Sequence, residues 1–234
     1  MSFAKKHTRY WLSVVLAAVF TVISFAVGVL YDQPIVPHKG GQEYTIHVSV
    51  DDTFAMLWDL TENQDQYSSI FDQPSFSYLK ELHEKYGAVY SLYCYYQQIM
   101  ADGVVHTLAE VTGEYCKEFE MNSDWLRLSF HAMDDTAYQN QQPEEEIVCY
   151  EKTLQELRRI AGSDAVDTGF IRLDRYAGSR DLTRALAELP DGPQGLFCAE
   201  NSNRRSYGLT AEEEKVLYQD DWYVDADGMQ YTPT

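Results

Sequence analysis

The chain has only four cysteines, Cys94, Cys116, Cys149 and Cys198, and no two of them form a Cys-x-x-Cys pair. That spacing excludes a zinc ribbon or a thioredoxin-type redox motif. Strand-like surroundings such as "LYCYY" and "LFCAE" favour buried free thiols over disulfides, although four cysteines still permit three pairings. Histidine is also scarce, with six in the chain and none after His131. Basic residues are outnumbered, 18 Lys plus Arg against 37 Asp plus Glu, for a formal charge of −19. Such an imbalance excludes nucleic acid and anionic membrane surfaces as partners for the folded part. It fits a well-solvated domain whose ligand is neutral or cationic, and it is equally accounted for by solubility alone. There is no internal repeat and no low-complexity tract.

What is present is enough apolar material for one main domain: 45% of the 234 residues are hydrophobic and 14% aromatic. One long uncharged run stands apart from it. Trp11 to Tyr31 is mostly apolar over 21 residues and follows Lys5, Lys6 and Arg9. At about 1.5 Å per helical residue it matches a hydrocarbon layer of roughly 30 Å, and the basic residues lie on its N-terminal side only. The expected topology is a cytoplasmic tail over residues 1–10, a transmembrane signal anchor over 11–31, a linker rich in proline and glycine over 32–43, and an extracytoplasmic domain over 44–234. Ala26-Val27-Gly28 offers a small-x-small site, so a cleaved signal and a secreted domain is the alternative.

Within the domain, strand and helix signals alternate. "YTIHVSV" alternates apolar and polar residues and ends on Asp51 and Asp52. After a loop, Pro74 opens a helix whose apolar residues Phe76, Leu79, Leu82 and Tyr86 recur every three or four positions until Gly87. "AVYSLYCYY" reads as a strand, "EYCKEF" as a short helix, and "WLRLSFHA" as a strand carrying His131. Pro143 and three glutamates begin a long helix ending at Gly162. "TGFIRLDRYAG" follows as a strand, then a helix over 181–189, the strand "QGLFCAEN", a helix capped by Thr210 and Glu213, and a hairpin turning at Asp227-Gly228. Strands separated by helices imply an α/β fold with a mainly parallel sheet, either open or a partial barrel. In such folds reactive groups gather beyond the C-terminal strand ends, which brings Asp51, Asp52, His131, Arg172 and Asp174 to one face.

At these residues the chain resembles a known family. "SVDDT" is similar to the first motif of the polysaccharide deacetylases (the NodB-homology superfamily, carbohydrate esterase family four), "SFHAMDD" to the second, and "RLDRYAG" loosely to the third. The resemblance spans roughly residues 44–231 and implies a distorted or partial (β/α) barrel of the glycoside hydrolase and deacetylase type. It implies Asp51 as general base with Arg172 orienting it, and Asp52 and His131 as ligands of one divalent metal, zinc foremost. Asp135 stands where the second motif's later histidine would be, making it the third candidate ligand. Asp174 is another conceivable ligand. Thr53 replaces the first motif's glycine, and the late histidine that protonates the leaving amine has no counterpart. Trp58 is the candidate platform for a sugar ring, with Tyr176 beside it.

The activity implied is metal-dependent hydrolytic deacetylation of an acetylated polysaccharide or cell-surface glycan. Two alternatives remain open: a catalytically degenerate glycan-binding domain of the same fold, and a metal-independent glycoside hydrolase using paired carboxylates such as Asp51 and Asp174. His47 and His106 are weighed as replacement ligands against ordinary structural roles, the latter preferred.

Overall fold

The computed structural model describes residues 48–136, 142–200 and 206–234. The expected tail, anchor and linker, and the start of the first strand with His47, lie outside the described residues. Among the described residues no helix is long and apolar enough to cross a membrane.

Nine strands and six α-helices are described: β1 Val48–Val50, α1 Phe54–Glu62, α2 Pro74–Tyr86, β2 Tyr90–Tyr95, β3 Gln97–Ile99, β4 Val105–Thr107, α3 Cys116–Met121, β5 Leu126–Ala132, α4 Pro143–Ala161, β6 Phe170–Ile171, α5 Arg180–Ala187, β7 Gly195–Cys198, α6 Ala211–Asp220, β8 Tyr223–Val224 and β9 Gln230–Pro233. β1, β2 and β5 form one parallel sheet in that order. β6, β7 and β9 form a second parallel run, with β8 antiparallel at its edge. A parallel bridge from Leu128 to Val166, with Asp167 N–H donating to Leu128 O at 2.9 Å, links β5 to the segment entering β6.

The parallel strands therefore stand side by side in chain order, as βα units do. The surface they make is curled. Arg172, just past β6, reaches Ser49 and Asp51 at the end of β1, although β2 and β5 lie between. Tyr93 Oη on β2 likewise donates to Phe170 O on β6 at 3.2 Å. No closed barrel forms among the described residues, and β1 pairs with β2 alone.

Most sequence expectations for these elements hold, and each has a local cause. Gln73 accepts from Phe76 N–H at 2.9 Å to cap α2, and Gly87 ends it at φ 70, a left-handed conformation that costs a residue without a Cβ least. At α6, Thr210 Oγ1 accepts from Glu213 N–H while Glu213 Oε2 accepts from Thr210 N–H. The C-terminal hairpin turns where Asp227-Gly228 predicts. All four cysteines are free; burial pushes the Cys94, Cys149 and Cys198 thiols up to about 12, which leaves them unreactive at neutral pH.

Three expectations are corrected. The supposed loop after Asp52 is helix α1, which buries Phe54, Leu57, Trp58 and Leu60, each apolar body contributing about 1.5–3 kcal/mol. Its cap signal is hidden, because Thr53 Oγ1 donates instead to Tyr93 O at 3.0 Å and leaves the helix end without a side-chain cap. The strand expected over 168–178 pairs only at Phe170–Ile171 and then breaks into a tight turn with Arg175 and Tyr176 at positive φ. His106, whose stretch "DGVVHT" reads as a loop, lies on β4 of a short antiparallel hairpin with β3.

Candidate functional site

The strand ends carry the chemistry. Asp51 and Asp52 leave β1 together but part at once, because Asp52 adopts φ 57. Aspartate tolerates this left-handed conformation better than most residues, and here it turns the second carboxylate away from the first. Thr53 fixes the corner: its N–H and Oγ1 both donate to Tyr93 O, at 3.1 and 3.0 Å, and its hydroxyl lies 2.9 Å from Cys94 Sγ.

Asp51 goes to Arg172, whose Nη2 donates to Asp51 Oδ1 at 2.5 Å and to Ser49 Oγ at 2.8 Å. The guanidinium also lies 5.4 Å from the Tyr93 ring centroid. Burial alone lowers the Arg172 pKa, but the hydrogen bond and charge of Asp51 outweigh it, so the cation is held more firmly than usual. Arg172 Nε is buried without a hydrogen-bond partner.

Asp52 turns to His131, which sits near the end of β5 and is 2% exposed. The imidazole is flanked by the rings of Tyr93 and Tyr95, with centroids 5.9 and 5.3 Å away. Its Nδ1 lies 2.6 Å from Arg172 O. A carbonyl can only accept, so Nδ1 carries a proton, and in the neutral tautomer the lone pair is on Nε2. Nε2 faces Asp52 Oδ1 at 3.5 Å and Asp174 Oδ1 at 3.8 Å. Both distances exceed a normal hydrogen bond.

Asp174 lies at the turn after Arg172 and is 7% exposed. Burial raises its pKa above the usual carboxylate range, and the charges of His131 and Arg175 only partly offset this. Its Oδ2 has no hydrogen-bond partner, the Arg175 Nε being 3.6 Å away. Tyr95, 3% exposed, has its hydroxyl pKa pushed up first by burial and then by the neighbouring Asp52 carboxylate.

No family model matches the chain, and no curated protein is significantly similar to it. The chemistry has to be read from the atoms gathered here.

Of the sequence candidates, Asp51, Arg172, Asp52, His131 and Asp174 come together. Asp135 joins them by no hydrogen bond or ion pair among the described residues: it is exposed in the turn after β5, and only its charge reaches the site, at Tyr95. Among the described residues no three His, Cys, Asp or Glu side chains are already drawn round one point as a metal cage. His131 is instead the shared member of two pairs.

Trp58 is turned inward, 8% exposed, with the His106 ring stacked on it at 3.9 Å and Phe54 at 6.3 Å. It offers no open face to a sugar, because α1, which the sequence reading took for a loop, carries it into the core. Tyr176 is half-buried beside the site, at φ 56, with its hydroxyl 3.4 Å from Thr234 Oγ1. Sequence reasoning missed Ser49, Tyr93 and Tyr95. The signal was available, since Ser91, Tyr93 and Tyr95 alternate along β2 on the face shared with Ser129 and His131, pairing Tyr93 with Ser129.

Chemically, the cluster presents a carboxylate clamped by a guanidinium, one residue away from a carboxylate that faces an imidazole nitrogen. The first can accept a proton. The second pair can hold a cation.

Proposed function

We propose that this protein is a divalent-metal-dependent hydrolase that removes acetyl groups from a glycan. The observation that carries the reading is the division of labour at one corner: Asp51 bonded to Arg172, and Asp52 facing the free Nε2 of His131. The polysaccharide class of substrate comes from the resemblance of the three motifs to the deacetylases. The curled parallel sheet supports a distorted or partial (β/α) barrel, with the site at its C-terminal rim.

A divalent ion held by Asp52 and His131, zinc foremost, would supply Lewis acidity for an acetamide carbonyl and acidify a bound water. Arg172 aims Asp51, and Asp51 takes the proton of the attacking water. With no histidine after His131, protonated Asp51 is also the group placed to return that proton to the departing amine. Tyr176 stands at the rim as a contact for the sugar. Charge supports a cation here: Arg172 neutralises Asp51, whereas the two carboxylates Asp52 and Asp174 share one imidazole and one loosely paired arginine. The apolar run at 11–31 supports a single-pass protein of the cell membrane with this domain outside, or a secreted one if the run is cleaved.

Acetate release from N-acetylated oligosaccharides by the full chain in detergent tests the reading. Activity should require added divalent metal and disappear in Asp52→Ala and His131→Ala; full activity in both variants overturns it. One observation favours a second reading. Asp174, its pKa pushed up by burial, stands near Asp51, and two carboxylates in unlike environments are what glycoside hydrolases use. Cleavage of glycosidic bonds undiminished by chelator would select it.

A further inference from the structure

Building on the metal reading above, we infer that Asp174, and not Asp135, supplies the third protein ligand, so that the ion is held by one imidazole nitrogen and two carboxylates. His131 Nε2 lies near both acids, 3.5 Å from Asp52 Oδ1 and 3.8 Å from Asp174 Oδ1. Two donors each about 2.1 Å from a shared tetrahedral ion stand roughly 3.4 Å apart. The observed separations are thus too long for hydrogen bonds and close to those of atoms that share a metal. The Asp52 side chain is 59% exposed and has room to close the remaining gap.

Asp174 supplies an independent argument. Its side chain is 10% exposed, its Oδ2 is buried with no hydrogen-bond partner, and its ion pair with the half-exposed Arg175 spans 3.6 Å. A carboxylate so deeply placed and so poorly satisfied needs a counter-charge, and a bound cation is one. The backbone holds it there. The turn after β6 places Arg175 at φ 54 and Tyr176 at φ 56, and bonds from Tyr176 N–H to Leu173 O, Ala177 N–H to Asp174 O and Tyr207 N–H to Tyr176 O fix that shape. The same segment supplies Arg172 O, the carbonyl that sets the His131 tautomer. One turn therefore orients the nitrogen ligand and presents the second oxygen ligand, which is how outer-sphere contacts ordinarily tune a metal centre. Asp135, four residues beyond His131, is exposed and has neither contact.

Two carboxylates balance a divalent ion's charge. They also make the site harder than one with two imidazoles, so manganese and cobalt should compete better against zinc.

Cobalt(II) alone is the probe, titrated into the full chain in detergent and followed by calorimetry and by visible absorption. The unaltered chain should bind one ion. Asp174→Asn should weaken binding by more than the roughly 10–100-fold that loss of an outer-sphere contact costs, while Asp135→Asn stays within about threefold. Asp174→Cys gives a readout that a structural role cannot imitate: a thiolate-to-cobalt charge-transfer band in the near ultraviolet, absent from Asp135→Cys. The native thiols give little background, since the three buried ones titrate at about 12. Far-ultraviolet circular dichroism establishes that each variant is folded. Undiminished binding by Asp174→Asn, or a charge-transfer band from Asp135→Cys alone, overturns the assignment of Asp174. If the unaltered chain takes up no cobalt, the metal reading falls with it.

Discussion

Two polar clusters in this domain use the same residue types to opposite ends. At the C-terminal hairpin, Arg180 donates to Tyr231 Oη at 2.8 Å and pairs with Asp225 at 3.1 Å and Glu213 at 3.4 Å. Tyr231 Oη donates to Asp225 Oδ2, Tyr223 Oη to Glu213, and the backbone N–H groups of Asp227 and Met229 to Asp225 Oδ1. Every strong acceptor of Asp225 is occupied. At the strand ends, Arg172 Nε and Asp174 Oδ2 are buried without hydrogen-bond partners among the described residues, and His131 Nε2 stands 3.5 and 3.8 Å from its two acids. A satisfied network holds a fold, whereas one with open valences has kept them for something else. On the proposed reading, the first cluster serves the fold and the second the chemistry.

The sharpest way to break that contrast is to remove one acid from each side. Asp51→Asn should lower turnover by roughly 10²–10⁴-fold, the ordinary worth of a general base, with only a modest fall in the urea midpoint because the amide oxygen can still accept from Arg172. Asp225→Ala should leave turnover unchanged and cost about 1–3 kcal/mol of stability, because it strands two N–H groups and takes one of two acid partners from the half-buried Arg180. Asp174→Asn, by contrast, should leave the metal-free protein as stable as before or slightly more so, since it removes a buried charge that lacks a full complement of partners. A loss for Asp174→Asn as large as that for Asp225→Ala would make the two clusters alike. Tyr231→Phe is a milder probe of the closed network and should cost about 1 kcal/mol in the same denaturation.

The smallest effect expected is pH-dependent and lies outside both clusters. His106 Nε2 is 3.0 Å from Asp102 and Nδ1 is 3.4 Å from Glu110. The Asp102 hydrogen bond, against the pull of burial and with help from Glu110, raises its pKa above the ordinary 6.5. The charged form is therefore favoured in the folded state. Its stabilisation is complete below the unfolded pKa and is lost as pH rises through the higher folded pKa. Melting temperatures of the wild type and His106→Gln should converge as pH climbs from about 5.5 to 8.5. A constant gap would contradict the assignment.

Much of this was legible in the sequence where one residue type has one use. Pro74 and Gly87 bracket their helix, Thr210 and Glu213 cap theirs, and alternation in "WLRLSFHA" puts His131 on the face shared with Ser129. Strand-end reasoning gathered Asp51, Asp52, His131, Arg172 and Asp174 correctly because parallel strands share a direction. It failed where a side chain had two possible employers. Thr53 looks like an ordinary strand-end residue but spends its hydroxyl on Tyr93 O, so the start of α1 and the burial of Trp58 went unread. The choice between Asp135 and Asp174 was also beyond the sequence. Motif spacing points to Asp135, whereas the left-handed turn at Arg175 and Tyr176 that seats Asp174 has no glycine or asparagine to announce it.

The most direct test is the metal content of the purified full chain, set against that of Asp52→Ala and His131→Ala after identical exposure to zinc. One ion per chain in the unaltered protein, and none in either variant, is the predicted result. An unaltered chain without metal, or variants that carry as much as it does, would contradict the account.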